Sequence, residues 1–75
     1  MVTGIVSKIS TQRDSFGEIH LEIFLRNDGS ETQYFTRSRT IALMAMAQML
    51  RPENSQRLIH LIADSEKWIT SFELV

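Results

Sequence analysis

Between Glu18 and Arg26 the chain alternates without a break. Ile19, Leu21, Ile23 and Leu25 fall on one phase, and Glu18, His20, Glu22, Phe24 and Arg26 on the other. Successive side chains of an extended strand point to opposite faces, so this period of two separates an aliphatic face from a mostly polar one. A half-buried strand of an antiparallel sheet satisfies both phases at once. The strand runs into Asn27-Asp28-Gly29-Ser30, residues that tolerate the positive φ of a tight reversal, and Thr32 to Arg37 reads as the returning arm of a hairpin. Such a hairpin has one apolar face to cover, and the rest of the chain must supply the cover.

Three further segments read as strands. Val2 to Ser10 is β-rich but carries apolar residues in both phases, Val2 and Val6 against Ile5 and Ile9, as a strand bent at Gly4 or at a bulge would. A polar turn, Thr11 to Gly17, follows it. Leu58 to Ala63 is almost wholly apolar and reads as a central strand, while Trp68 to Val75 closes the chain after the polar Asp64-Ser65-Glu66-Lys67, with Trp68 expected to be partly buried. The remaining apolar run, Ile41 to Ala47, lies in a helix capped by Ser38 or Thr40 and ending at Leu50 or Arg51, ahead of Pro52. At roughly 100° per residue, consecutive apolar residues point in every direction. A helix apolar all round must be covered all round, and a second helix on its free side is the expected cover.

At 75 residues the chain is a single domain, residues 1–75, with no linker, internal repeat or low-complexity tract. A chain of this size buries only about 60% of the surface its unfolded form exposes. It has no cysteine and two histidines, His20 and His60, so neither a disulfide nor a metal is expected to supplement the core. Packing or a sister subunit remains. Eight basic residues stand against nine acidic, which removes any global field toward nucleic acid or an anionic membrane and leaves only a local patch. The N-terminal residues lack a secretory pattern, and no apolar run approaches a membrane span of about 20 residues. A cytoplasmic protein without cofactor is expected.

The order of three strands, a helix and two strands resembles the OB fold, a mainly β architecture in which a five-stranded Greek-key barrel has one helix between its third and fourth strands. Gly4-Ile5-Val6, the long second strand ending in Asn27-Asp28-Gly29-Ser30, and the short Trp68-Ile69-Thr70-Ser71-Phe72-Glu73-Leu74 carry the resemblance. Arg13-Asp14-Ser15 with Phe24-Leu25-Arg26-Asn27-Asp28-Gly29-Ser30 is similar to the anticodon-binding OB domains of class II aminoacyl-tRNA synthetases. There, an arginine of the first loop and aromatics of the second and third strands contact bases. Thr40-Ile41-Ala42-Leu43-Met44-Ala45, Leu58-Ile59-His60-Leu61-Ile62 and Trp68-Ile69-Thr70-Ser71-Phe72 look more like small stand-alone bacterial OB-fold proteins patterned as the pentameric B subunits of AB toxins. In those, the helix also faces neighbouring helices around a ring.

Two surfaces follow as candidates. With the aliphatic phase of the second strand inward, His20, Glu22, Phe24 and Arg26 face outward, joined by Tyr34 or by Phe35 with Gln33 and Arg37. OB folds bind oligonucleotides on this face, stacking bases on aromatics. Arg13, Phe24, Arg26, Tyr34, Phe35 and Arg37 are therefore the candidate contacts for single-stranded nucleic acid or another polymer. The alternative is a homo-oligomer or a subunit for a protein partner, meeting through the helix at Ile41, Met44, Ala45, Met46 and Met49. The methionines suit packing better than metal binding, since no cysteine or histidine sits beside them. No nucleophile elbow or glycine-rich phosphate loop is present, so no enzyme and no catalytic residue is expected.

Overall fold

The alternating segment forms strand β2 (Ile19–Asn27), which turns through Asp28 and Gly29, both at positive φ, into β3 (Ser30–Thr36). The computed structural model describes the backbone of all 75 residues and every side chain except that of Glu53. The other elements are β1 (Val2–Arg13), α1 (Arg39–Met49), a 3₁₀ turn at Glu53–Ser55, β4 (Ile59–Ala63) and β5 (Ile69–Leu74). The protein is thus mainly β, with the chain order β-β-β-α-β-β. All five strands join one sheet in the order β3-β2-β1-β4-β5, each neighbouring pair antiparallel.

β1 links the two halves of this sheet. Its start, Val2 to Gly4, pairs with β4, and from Ile5 onward it pairs with β2. At the changeover Gly4 is buried, and a Cβ there would lie 2.7 Å from the carbonyl oxygen of Arg26 and 3.1 Å from Leu25 Cδ2. Glycine is what lets the two backbones approach. The register then shifts between Val6 and Lys8. This bulge at Ser7 reverses the phase, so that Val6 opposite Leu25 and Ile9 opposite Ile23 share the inner face. The bulge accounts for Ile9, while Ile5, ahead of it, stays on the outer phase opposite Arg26.

β1 runs three residues beyond the expected Ser10. Thr11, Gln12 and Arg13 pair with Leu21, His20 and Ile19, so the polar turn contracts to Asp14–Gly17. Leu58–Ala63 also needs correction. β4 does lie between β1 and β5, but Leu58 is 50% and Ile62 is 47% exposed, so the apolar run is not covered on both faces. The sheet is not closed into a barrel by a continuous ladder. Its edge strands β3 and β5 touch at one isolated parallel bridge, Phe35 to Trp68, where the Phe35 N–H donates to Lys67 O at 2.8 Å.

The core joins Val6, Ile23, Leu25, Tyr34, Ile59, Leu61 and Phe72 of the sheet to Ala45 of the helix. Fully burying an aliphatic side chain contributes about 1.5 to 3 kcal/mol, and Val6, Ile23, Ile59 and Leu61 are fully buried. α1 starts at Ser38, whose Oγ accepts from the Ile41 N–H at 3.3 Å. It turns Ala42, Ala45 and Gln48 to the sheet, with Ile41 and Met44 packed at the core's edge. Gln48 is buried and accepts the Arg57 N–H at 3.0 Å through Oε1, which fixes the chain leading into β4. The opposite face of α1 is uncovered: Leu43 is 60%, Met46 48% and Leu50 87% exposed.

Candidate binding face on the second and third strands

The registers assemble the outer face from three strands. Phe24 of β2 sits between Lys8 of β1 and Gln33 of β3; Glu22 sits between Ser10 and Phe35; Arg26 faces Glu31. Tyr34 lies on the inner phase and is buried, so Phe35 is the outward aromatic of β3. The Lys8 ammonium lies 5.3 Å from the Phe24 ring centroid. Glu22, the carboxylate in the middle of the face, accepts a hydrogen bond from Ser10 Oγ at 3.1 Å.

At the bridge between β3 and β5 three rings meet. Phe35 and Trp68 have centroids 5.5 Å apart, and His20 stands edge-on to both, at 5.7 Å from Phe35 and 5.5 Å from Trp68. His20 Nδ1 is buried with no hydrogen-bond partner, so the imidazole serves here as a wall of the cluster. The Arg37 guanidinium lies over the Trp68 ring at 4.3 Å from its centroid and is braced by Asp14 Oδ2 at 3.1 Å and Glu18 Oε2 at 3.7 Å. Desolvation pushes the Asp14 carboxyl up, but the Glu18 and Phe16 N–H groups and the Arg37 guanidinium outweigh it and hold it below the ordinary 3.8.

Two turns of the same design flank this cluster. In Asp14-Ser15-Phe16-Gly17-Glu18 the Asp14 Oδ1 accepts from the N–H groups of Phe16 at 2.9 Å and Glu18 at 3.0 Å. In Asp64-Ser65-Glu66-Lys67-Trp68 the Asp64 Oδ1 accepts from those of Glu66 and Trp68, both at 2.9 Å. The fourth residue has positive φ in each, 83° at Gly17 and 72° at Lys67. The first turn delivers Asp14 to Arg37, and the second delivers Trp68 to Phe35. Lys67 places its ammonium 5.5 Å from the Tyr34 ring.

Of the polymer-contact candidates, Phe24, Arg26, Phe35 and Arg37 share the outer face, while Tyr34 belongs to the core. Arg13 stands at the end of β1, donating to Gly17 O at 2.9 Å in the first turn. Of the helix candidates, Met46 and Met49 are exposed, Ile41 and Met44 lean on the core, and Ala45 is fully buried and presents no surface to a neighbour. Sequence reasoning missed Trp68 and Lys8 as members of the face. The repeated Asp-Ser turn was the available signal for Trp68, since the same turn ahead of β2 leads onto that face. His20 and His60 lie on β2 and β4, and no group of three or more metal-binding side chains occurs among the described residues. No helix among them is long and apolar enough to cross a membrane. Comparison with family models, curated proteins and solved structures finds no match to this chain.

Proposed function

We propose that this chain is a non-enzymatic binding module of OB-fold type whose β2/β3 face takes single-stranded nucleic acid. The observation that carries this reading is the Phe35–Trp68 ring pair beneath the Arg37 guanidinium, continued along the strands by Phe24 and Lys8. Aromatic faces stack bases of any sequence, at about 1 to 3 kcal/mol per base, while nearby cations meet the phosphates. Two acidic groups of the face, Asp14 and Glu18, oppose phosphate less than their number suggests because they pair with Arg37, while Glu22 keeps its charge beside Ser10. The Greek-key barrel that this reading entails is supported by β1 serving both β4 and β2, and by the parallel contact between β3 and β5.

Trp68 is the chain's single tryptophan, so its fluorescence reports directly on the site. Titration with an oligothymidylate of about 15 nucleotides should quench it, with an affinity that falls steeply as salt rises. Phe35→Ala should weaken binding by about tenfold, the equivalent of one stacked base. Absence of quenching at low salt, or affinity indifferent to salt, would sink the reading.

The exposed row Leu43, Met46 and Leu50 supports a second reading, a homo-oligomer meeting through α1. Light scattering on a sizing column separates the two: a mass several times 8.7 kDa, reduced by Met46→Glu, is the oligomer's signature.

A further inference from the structure

Beside the aromatic face, the start of β2, the end of β3 and the first turns of α1 enclose an open groove of about 310 Å³. Its walls include Ile19, Leu21, Leu43 and Met46, and Arg37 and Arg39 stand at its rim. Folding leaves this surface wet: Ile19 is 54%, Leu43 60% and Met46 48% exposed. A contiguous aliphatic surface left in water on a domain this small is the mark of an interaction site.

The electrostatics select the occupant. None of the residues lining the groove is a carboxylate, and the first turn of α1 carries no acidic residue to offset the positive end of the helix dipole. Arg37 is already paired with Asp14 and Glu18, and Arg39 has no ion pair among the described residues, so among them Arg39 is the uncompensated cation of the groove. An aliphatic floor bordered by Arg39 and the start of α1 complements an apolar side chain with a carboxylate next to it. We propose that the groove docks an acidic peptide segment of another protein, anchored by one bulky apolar side chain.

Two other occupants fit less well. A second copy related by a two-fold axis through the groove would bring Arg37 and Arg39 toward the same arginines of its mate. A nucleic acid would find aliphatic and thioether groups where it needs rings, His20 being the one ring in the lining.

The test pans a phage-displayed random-peptide library on the immobilised full chain, with Leu43→Glu as counter-screen. Leu43 is exposed, so the substitution should leave the far-ultraviolet circular dichroism and Trp68 emission unchanged; Arg39→Glu provides a second variant that alters only the rim. The expected result is enrichment of peptides that combine carboxylates with a large apolar residue. A synthetic copy should bind the unaltered chain about tenfold more tightly than either variant. Failure to enrich, or enriched peptides that bind the variants equally well, overturns the proposal. So does a concentration-dependent mass abolished by Leu43→Glu, which assigns the groove to a second copy, and so does loss of oligothymidylate binding in that variant, which assigns it to nucleic acid.

Discussion

Lys67 holds φ at 72° in the position where the twin turn carries Gly17. The left-handed region costs an L-residue about 1 kcal/mol or more, a cost that glycine avoids. The strained backbone therefore places an ammonium beside the buried Tyr34 ring, away from the outer face, where a relaxed turn would leave bare backbone. Lys67→Gly separates the two roles. Stability to urea should rise by about 0.5 to 1 kcal/mol, while oligothymidylate binding, read from Trp68, should stay unchanged, because the ammonium stands over Tyr34 and not on the outer face. Weakened binding in this variant would bring Lys67 into the site. At this scale the outward identity of Phe24 and Arg26 was legible from alternation alone, because side-chain direction follows the pleat. The choice between Tyr34 and Phe35 was not, since both neighbours are aromatic and only the register with β2 decides which one meets the core.

At the scale of elements, α1 shows how far local chemistry reaches. A cap at Ser38 or Thr40 was readable, because either hydroxyl can satisfy an N–H at the helix start that has no intrahelical acceptor, and the structure uses Ser38. Ser38→Ala should cost about 1 kcal/mol, measured as a shift in the urea midpoint at constant slope; an unchanged midpoint would mean that Thr40 or water replaces the cap. The orientation of α1 was not readable. With Ile41 to Ala47 all apolar, pattern favours no face, and the helix lays Ala42, Ala45 and Gln48 on the sheet because the two small side chains allow the backbones to approach. The larger Leu43 and Met46 are left outside. β1 is a similar case. Its mixed phase signalled an irregularity, but the placement of the bulge at Ser7 follows from the need to return Ile9 to the inner face opposite Ile23.

At the scale of the whole molecule, the weakest joint is the contact of β3 with β5, one bridge holding the two ends of a five-stranded sheet together. β2 is hydrogen-bonded on both sides, with Ile23 and Leu25 buried. Native-state hydrogen exchange should therefore find the Ile23 and Leu25 amides opening only with global unfolding, and the Phe35 amide exchanging earlier through a local opening. Equal protection at Phe35 would mean that the joint unfolds with the core. That joint also sets Trp68 against Phe35, so the candidate site depends on a single contact between residues distant in the chain. The sequence by itself determined the existence of the strands, the hairpin at Asp28-Gly29, a helix cap at Ser38 or Thr40 and the outward phase of β2, because each follows from side-chain period, φ preference or a hydrogen bond within a few residues. Only the tertiary structure decided that Trp68, His20 and Arg37 form one cluster, that Tyr34 is core, and that Leu43 and Met46 stay in water. Those outcomes depend on register and on which faces pack, where residues distant in the chain compete for the same buried surface.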